Sequence, residues 1–185
     1  DVVKNLLCSS TPSFVCIQES KLACLDARKA VSFLSQNLTQ FAAKNADGSR
    51  GGIVTAWDPS SFALVSSYES RYSISVALAC SSSGVTVTLS NVYAPSDHSF
   101  TDSFVEDMLT IPPRVLGPWL VVGDFNLIRH PNEKTGGISM LVVPPVSTPL
   151  SMTLLCMSCT PRTAPSHGQI GRIPPSLPSL IVRFL

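Results

Sequence analysis

The chain has 185 residues, 44% of them hydrophobic, with a mean hydropathy of +0.28 and a formal charge of +1. That apolar content is enough to bury a core without disulfide or metal staples, which excludes a wholly disordered chain. The near-zero charge excludes overall attraction to a polyanion, so any nucleic-acid contact has to come from a local patch.

Cysteines at 8, 16, 24, 80, 156 and 159 lack the dense spacing of a secreted disulfide framework and read as thiols of a reducing compartment. The opening DVVKNLLCSS has no basic-then-apolar secretory layout, and no run reaches the ~18 apolar residues of a membrane span. We therefore expect an intracellular protein, nuclear or cytoplasmic, with no membrane partner. Oligomeric state has no signal in the sequence. The absence of any methionine before Met108 reads as a chain cut from something longer.

PSFVCIQES opens with a proline and runs from Phe14 to Ile17 without alternation, as a strand covered on both faces does, with Gln18 and Glu19 at its end. From Asp26 to Ala43, apolar residues recur at Ala30, Phe33, Leu34, Leu38 and Phe41, a helical stripe with Asp26 as its cap. ADGSRGG follows as a loop. GGIVTAW, FALVSSY, YSISVALAC and VTVTLSNVYAP, rich in β-branched residues and parted by turn residues, read as successive antiparallel strands.

In the last of these, Val85, Val87, Leu89, Asn91 and Tyr93 share one face, so a polar pair arrives where the strand ends before Pro95. SFTDSFVEDMLTI is a short helix capped by Thr101 or Asp102, and WLVV is a buried strand leading into Gly-Asp-Phe-Asn. After Glu133 the composition changes: all 12 acidic residues lie at or before it, and 8 of the 15 prolines lie from Pro144 onward. No regular period survives there, and an irregular tail is expected.

Glu19, Asp124 and Asn126 each fall just past a buried strand, where rigid backbone holds a polar group open to a cleft. Such carboxylates suit Mg²⁺, which takes hard oxygen ligands and is anchored by one or two carboxylates together with substrate phosphate. An aspartate beside the ion can orient or deprotonate a water, and an asparagine can hydrogen-bond a phosphate oxygen without adding charge. The plain structural alternative stays open on spacing alone: Gly-Asp-Phe-Asn is turn chemistry, Glu19 a solvated strand end, Tyr93 a packed aromatic.

The ordered set CIQESK (16–21), RGGIVTAWDP (50–59), SNVYAPSD (90–97) and WLVVGDFN (119–126) resembles the endonuclease/exonuclease/phosphatase superfamily. The nearest likeness is to the endonuclease domain of plant non-LTR (LINE-type) retrotransposons, over residues 1–134. The resemblance implies a DNase I-like α/β sandwich of two packed sheets with outer helices, and Mg²⁺- or Mn²⁺-dependent cleavage of DNA. By that likeness Glu19 is a metal ligand, Tyr93 a phosphate contact, Asp124 the residue positioning the attacking water, and Asn126 its helper at the scissile phosphate. A phosphatase or phosphodiesterase acting on a small phosphate ester, or a non-catalytic nucleic-acid-binding relic, are the alternatives.

Family members open with a strand carrying an asparagine, and this chain reads as starting after it; they close with Ser-Asp-His, which nothing matches at its place. His98, His130 and His167 read as ordinary surface residues. Read one base out of register, codons 165–171 can spell Phe-Thr-Trp-Ser-Asn-Arg, a family element otherwise missing. Residues 135–185 are therefore expected to be an aberrant tail, frameshifted after about residue 137, and the chain an inactive remnant. The Cys156-x-x-Cys159 pair has no partner pair and makes no zinc site.

Overall fold

The computed structural model describes residues 2–48, 50–126, 138–143 and 157–159. Helix α1 (Val2–Ser10) precedes strand β1 (Phe14–Ile17), helix α2 (Ala27–Phe33) and strands β2 (Gln40–Asp47) and β3 (Arg50–Trp57). Strands β4 (Phe62–Glu69), β5 (Ser73–Cys80) and β6 (Thr86–Tyr93) follow, then helix α3 (Thr101–Met108), β7 (Trp119–Asp124), β8 (Ile138–Val143) and β9 (Met157–Cys159). Two sheets result, one ordered β1-β3-β2 and the other β4-β5-β6-β7-β8-β9.

The sheets pack through a core of Phe14, Cys16, Trp57, Phe62, Val76, Leu78, Leu89 and Val122. Phe14 and Phe62 meet edge to face at 6.3 Å across it. Fully burying a side chain of this size contributes ~1.5–3 kcal/mol, so this layer is the main reason the sheets stay together. Leu7, Val15, Ala30, Leu34 and Ala56 fill a second core between the three-stranded sheet and the two amino-terminal helices. On the far side, Val92, Phe104, Ile111, Trp119 and Val121 seat α3 on the six-stranded sheet. The two-sheet sandwich with outer helices is the architecture expected from the motifs.

Several elements differ from the sequence reading. The helical stripe ends at Phe33, although Asp26 does cap its start by accepting from the Lys29 amide at 2.8 Å. Residues 40–43, read as the end of that helix, belong to β2. ADGSRGG is not an open loop: Asp47 ends β2 and Arg50 begins β3, with Gly48 turning at φ +59°. Of the expected antiparallel series, β4, β5 and β6 do pair successively antiparallel, but β3 lies in the other sheet. Helix α3 has Phe100 at its cap with no side-chain bond; a 3-10 turn at His98–Phe100, begun by Asp97, displaces the expected Thr101 or Asp102.

Helix α1 has no counterpart in the sequence reading. Strands β8 and β9 fall in the segment expected to be irregular, β8 pairing antiparallel with β7; the rest of 135–185 lies outside the described residues. No described helix is long and apolar enough to cross a membrane.

Candidate active site

Parallel pairing of β6 with β7 sends both chains out at the same rim, with Tyr93 in register with Asp124. Alternation then puts Leu89, Asn91 and Tyr93 on the face toward the other sheet, as the period of two required. From that other sheet, β1 delivers Glu19 to the same place: the Tyr93 hydroxyl donates to Glu19 Oε1 at 2.6 Å. Burial first, then the hydrogen bond to Glu19 and the charges of Glu19 and Asp124, push the Tyr93 phenol well above its usual range. It is therefore a neutral donor at any physiological pH.

Asp124 and Asn126 are held by the turn that follows β7. Asp124 Oδ1 accepts from the Asn126 amide at 3.0 Å, an Asx turn, and Asn126 sits at φ +46°. The Asn126 carboxamide donates to the Ala94 carbonyl at 2.8 Å, and the Ala94 amide donates to the Asp124 carbonyl at 2.8 Å. Asn126 thus ties the two strand exits together. The structure brings all four expected residues to one rim, and Asn126 has a structural use there that the spacing alone did not distinguish.

Glu19 (φ +52°) and Lys21 (φ +54°) both adopt left-handed backbone. The loop is hooked onto β3 by the amides of Ser20 and Lys21, which donate to the carbonyls of Gly52 and Gly51, each at 3.0 Å. Glycine is required at 52, where a Cβ would lie 2.4 Å from Ser20 Oγ and 3.2 Å from the Lys21 nitrogen. Left-handed backbone in a glutamate persists only where its surroundings over-determine it, which is common at functional loops.

A cleft of about 240 Å³ opens beside the pair, lined among others by Lys44, Arg71, Tyr72 and Tyr93. Lys44 is partly spent, bonding Glu69 at 3.2 Å and the Ser70 carbonyl at 2.6 Å. Arg71 stacks over Tyr72 at 5.2 Å and donates to Ser103 Oγ at 3.0 Å. Sequence reasoning missed Lys44 and Arg71 because a single cation in a strand and another in a turn carry no periodic signal.

No group of three or more histidine, cysteine or acidic side chains stands ready to enclose a metal among the described residues. Two carboxylates at one rim still fit Mg²⁺, which needs only one or two and completes its shell with water and phosphate. Ser96-Asp97-His98 spells the expected closing motif out of place, but the Asp97 carboxylate accepts from the Ser99 amide at 2.9 Å. No hydrogen bond among the described residues joins the His98 ring to the rim. His130 and His167 lie outside the described residues.

No protein-family model matches the sequence, and no curated protein is similar to it in sequence. Solved structures do match. One is a functionally unknown conserved protein from Enterococcus faecalis V583, with a TM-score of 0.53 and 12% identity over 68% of this chain and 57% of that one. Another is the AP endonuclease LMAP from Leishmania major, with a TM-score of 0.53 and 16% identity over 74% of this chain and 53% of that one. The fold is therefore the DNase I-like sandwich. The match spans a little over half the length of either relative.

Proposed function

We propose that this chain carries the carboxylate half of a metal-dependent phosphodiesterase site, of the kind with which retrotransposon endonucleases nick DNA, and that it does not turn over by itself. The observation that carries the reading is the meeting of Glu19, Tyr93 and Asp124 at one rim. Glu19 would hold Mg²⁺ or Mn²⁺, and the ion when bound would supply Lewis-acid polarisation of a phosphoryl oxygen.

The chain's own residues account for the rest. The Tyr93 hydroxyl, neutral at working pH, fixes the Glu19 carboxylate and presents a donor to phosphate. Asp124 would position the attacking water, with Asn126 its helper at the scissile phosphate. Arg71 would meet a phosphate from the adjoining cleft, where Asp47 also lines the wall and Lys44 is paired with Glu69. The inactivity rests on the sequence, which lacks the family's opening asparagine motif and has no Ser-Asp-His at the closing position.

Supercoiled-plasmid nicking in Mg²⁺ tests this, with three proteins: the chain, Asp124→Ala, and a full-length version that carries the opening strand and the shifted-frame translation of residues 138–182. Nicking by the third protein alone is expected. Nicking by the unaltered chain that vanishes in Asp124→Ala would overturn the inactivity, and no nicking by any of the three would overturn the endonuclease reading.

A further inference from the structure

Asn91 stands two residues before Tyr93 on the inner face of β6, 0% exposed in a wall otherwise made of Val76, Leu89 and Val122. A carboxamide there is costly unless bonded. Its Nδ2 donates to the Val54 carbonyl at 3.0 Å and to Thr55 Oγ1 at 3.2 Å, with the Ile17 carbonyl at 3.5 Å. Carbonyls only accept, so the amide end must face the three-stranded sheet and Oδ1 must face outward along the rim. There Oδ1 receives the Gln18 Nε2 hydrogen bond.

The two sheets therefore interlock tooth by tooth. Gln18 closes on Asn91 and the next residue, Glu19, closes on Tyr93, the next inward residue of β6. Beyond Glu19 the chain is caught again by Gly52 and Gly51. The exposed glutamate, in a backbone conformation it rarely adopts, is thus anchored on both sides, and the buried anchor is Asn91.

We infer that Asn91 and Gln18 are positioning residues: their hydrogen bond sets the exit of β1 against β6 and so holds the Glu19 carboxylate at the Tyr93 hydroxyl, ready for a divalent cation. Only the cation rests on the proposed metal-dependent function; the placement of Glu19 stands without it.

Gln18→Met keeps the bulk of the side chain and removes the donor; Asn91→Leu keeps the bulk in the core and removes the acceptor, together with the bonds to Val54 and Thr55. In protein carrying ¹³C-labelled tyrosine, the Tyr93 Cζ resonance, assigned with Tyr93→Phe, reports the bond to Glu19. Both variants are expected to move it toward its position in Glu19→Gln while far-ultraviolet circular dichroism stays unchanged. Mn²⁺ titration followed by electron paramagnetic resonance is expected to show about tenfold weaker binding in Gln18→Met.

A Tyr93 resonance unmoved in Gln18→Met overturns the inference, whatever the metal does. A moved resonance in a protein whose unaltered form takes up no Mn²⁺ supports the positioning role and overturns the metal reading instead. Should Asn91→Leu fail to fold, the half-exposed Gln18 decides alone.

Discussion

Gly123 lies inside β7, not in a turn, and its neighbour across the parallel pair is Val92. A Cβ there, at φ +149°, would sit 1.9 Å from the Val92 carbonyl oxygen and 2.7 Å from its carbon. Backbone cannot rotate away as a side chain would, so the strand itself must shift, and with it Asp124 against Tyr93. Gly123→Ala is expected to cost more than ~2 kcal/mol of folding free energy, read from the urea unfolding midpoint at unchanged m-value. The glycine of Gly-Asp-Phe-Asn is thus present for close approach as well as for the turn that begins after it.

Between elements, the carboxylate of Asp107 on α3 clasps the β4–β5 turn. It accepts from Ser70 Oγ at 2.7 Å and from the amides of Arg71 and Tyr72, each at 3.0 Å. Asp107→Ala orphans two backbone donors, so a loss of about 1–3 kcal/mol is expected, with faster hydrogen exchange at Arg71 and Tyr72 than elsewhere in β5. The turn also aims Arg71 at the cleft, so the helix and the cleft are mechanically linked.

This linkage was not legible in the sequence, where Asp107 is one of several acids on a short helix. Strand β1 was legible because Phe14 to Ile17 is apolar on both faces and its neighbours are not. The end of α2 was not: Leu38 and Phe41 continue a helical period, while β2 alternates Phe41 with Ala42, a contrast too weak to announce a strand. What stops the helix is tertiary. Asn37 donates to the Pro12 carbonyl at 2.8 Å and accepts from Ser35 at 2.7 Å, which pulls the chain out of helical geometry just after Leu34. The four rim residues were found from motifs, and Asn91 was visible only as a polar residue on an apolar face.

The molecule as a whole should weaken in alkali for a traceable reason. Cys16 lies between the sheets, and burial, partly opposed by its hydrogen bond with Thr55, pushes its thiol up to about 12 from the ordinary 9.0. The folded state keeps a proton that the unfolded chain loses, so stability is intact below pH 9.0 and falls as pH rises toward about 12. Tyr93, also raised, adds a loss of the same sign at the upper end. Urea midpoints measured across that window should decline, and Cys16→Val should decline less steeply.

Because β6 and β7 run the same way, the chain between them has to travel back over the outer surface, as residues 94–118 do with α3. That return path is pinned where it starts, since Ala94 bonds Asp124 and Asn126, and again where Asp107 holds the β4–β5 turn. A change of length in the path between those two fixed points leaves both ribbon exits where they are, whereas a change at either point reaches the acids at the front or the cleft beside them.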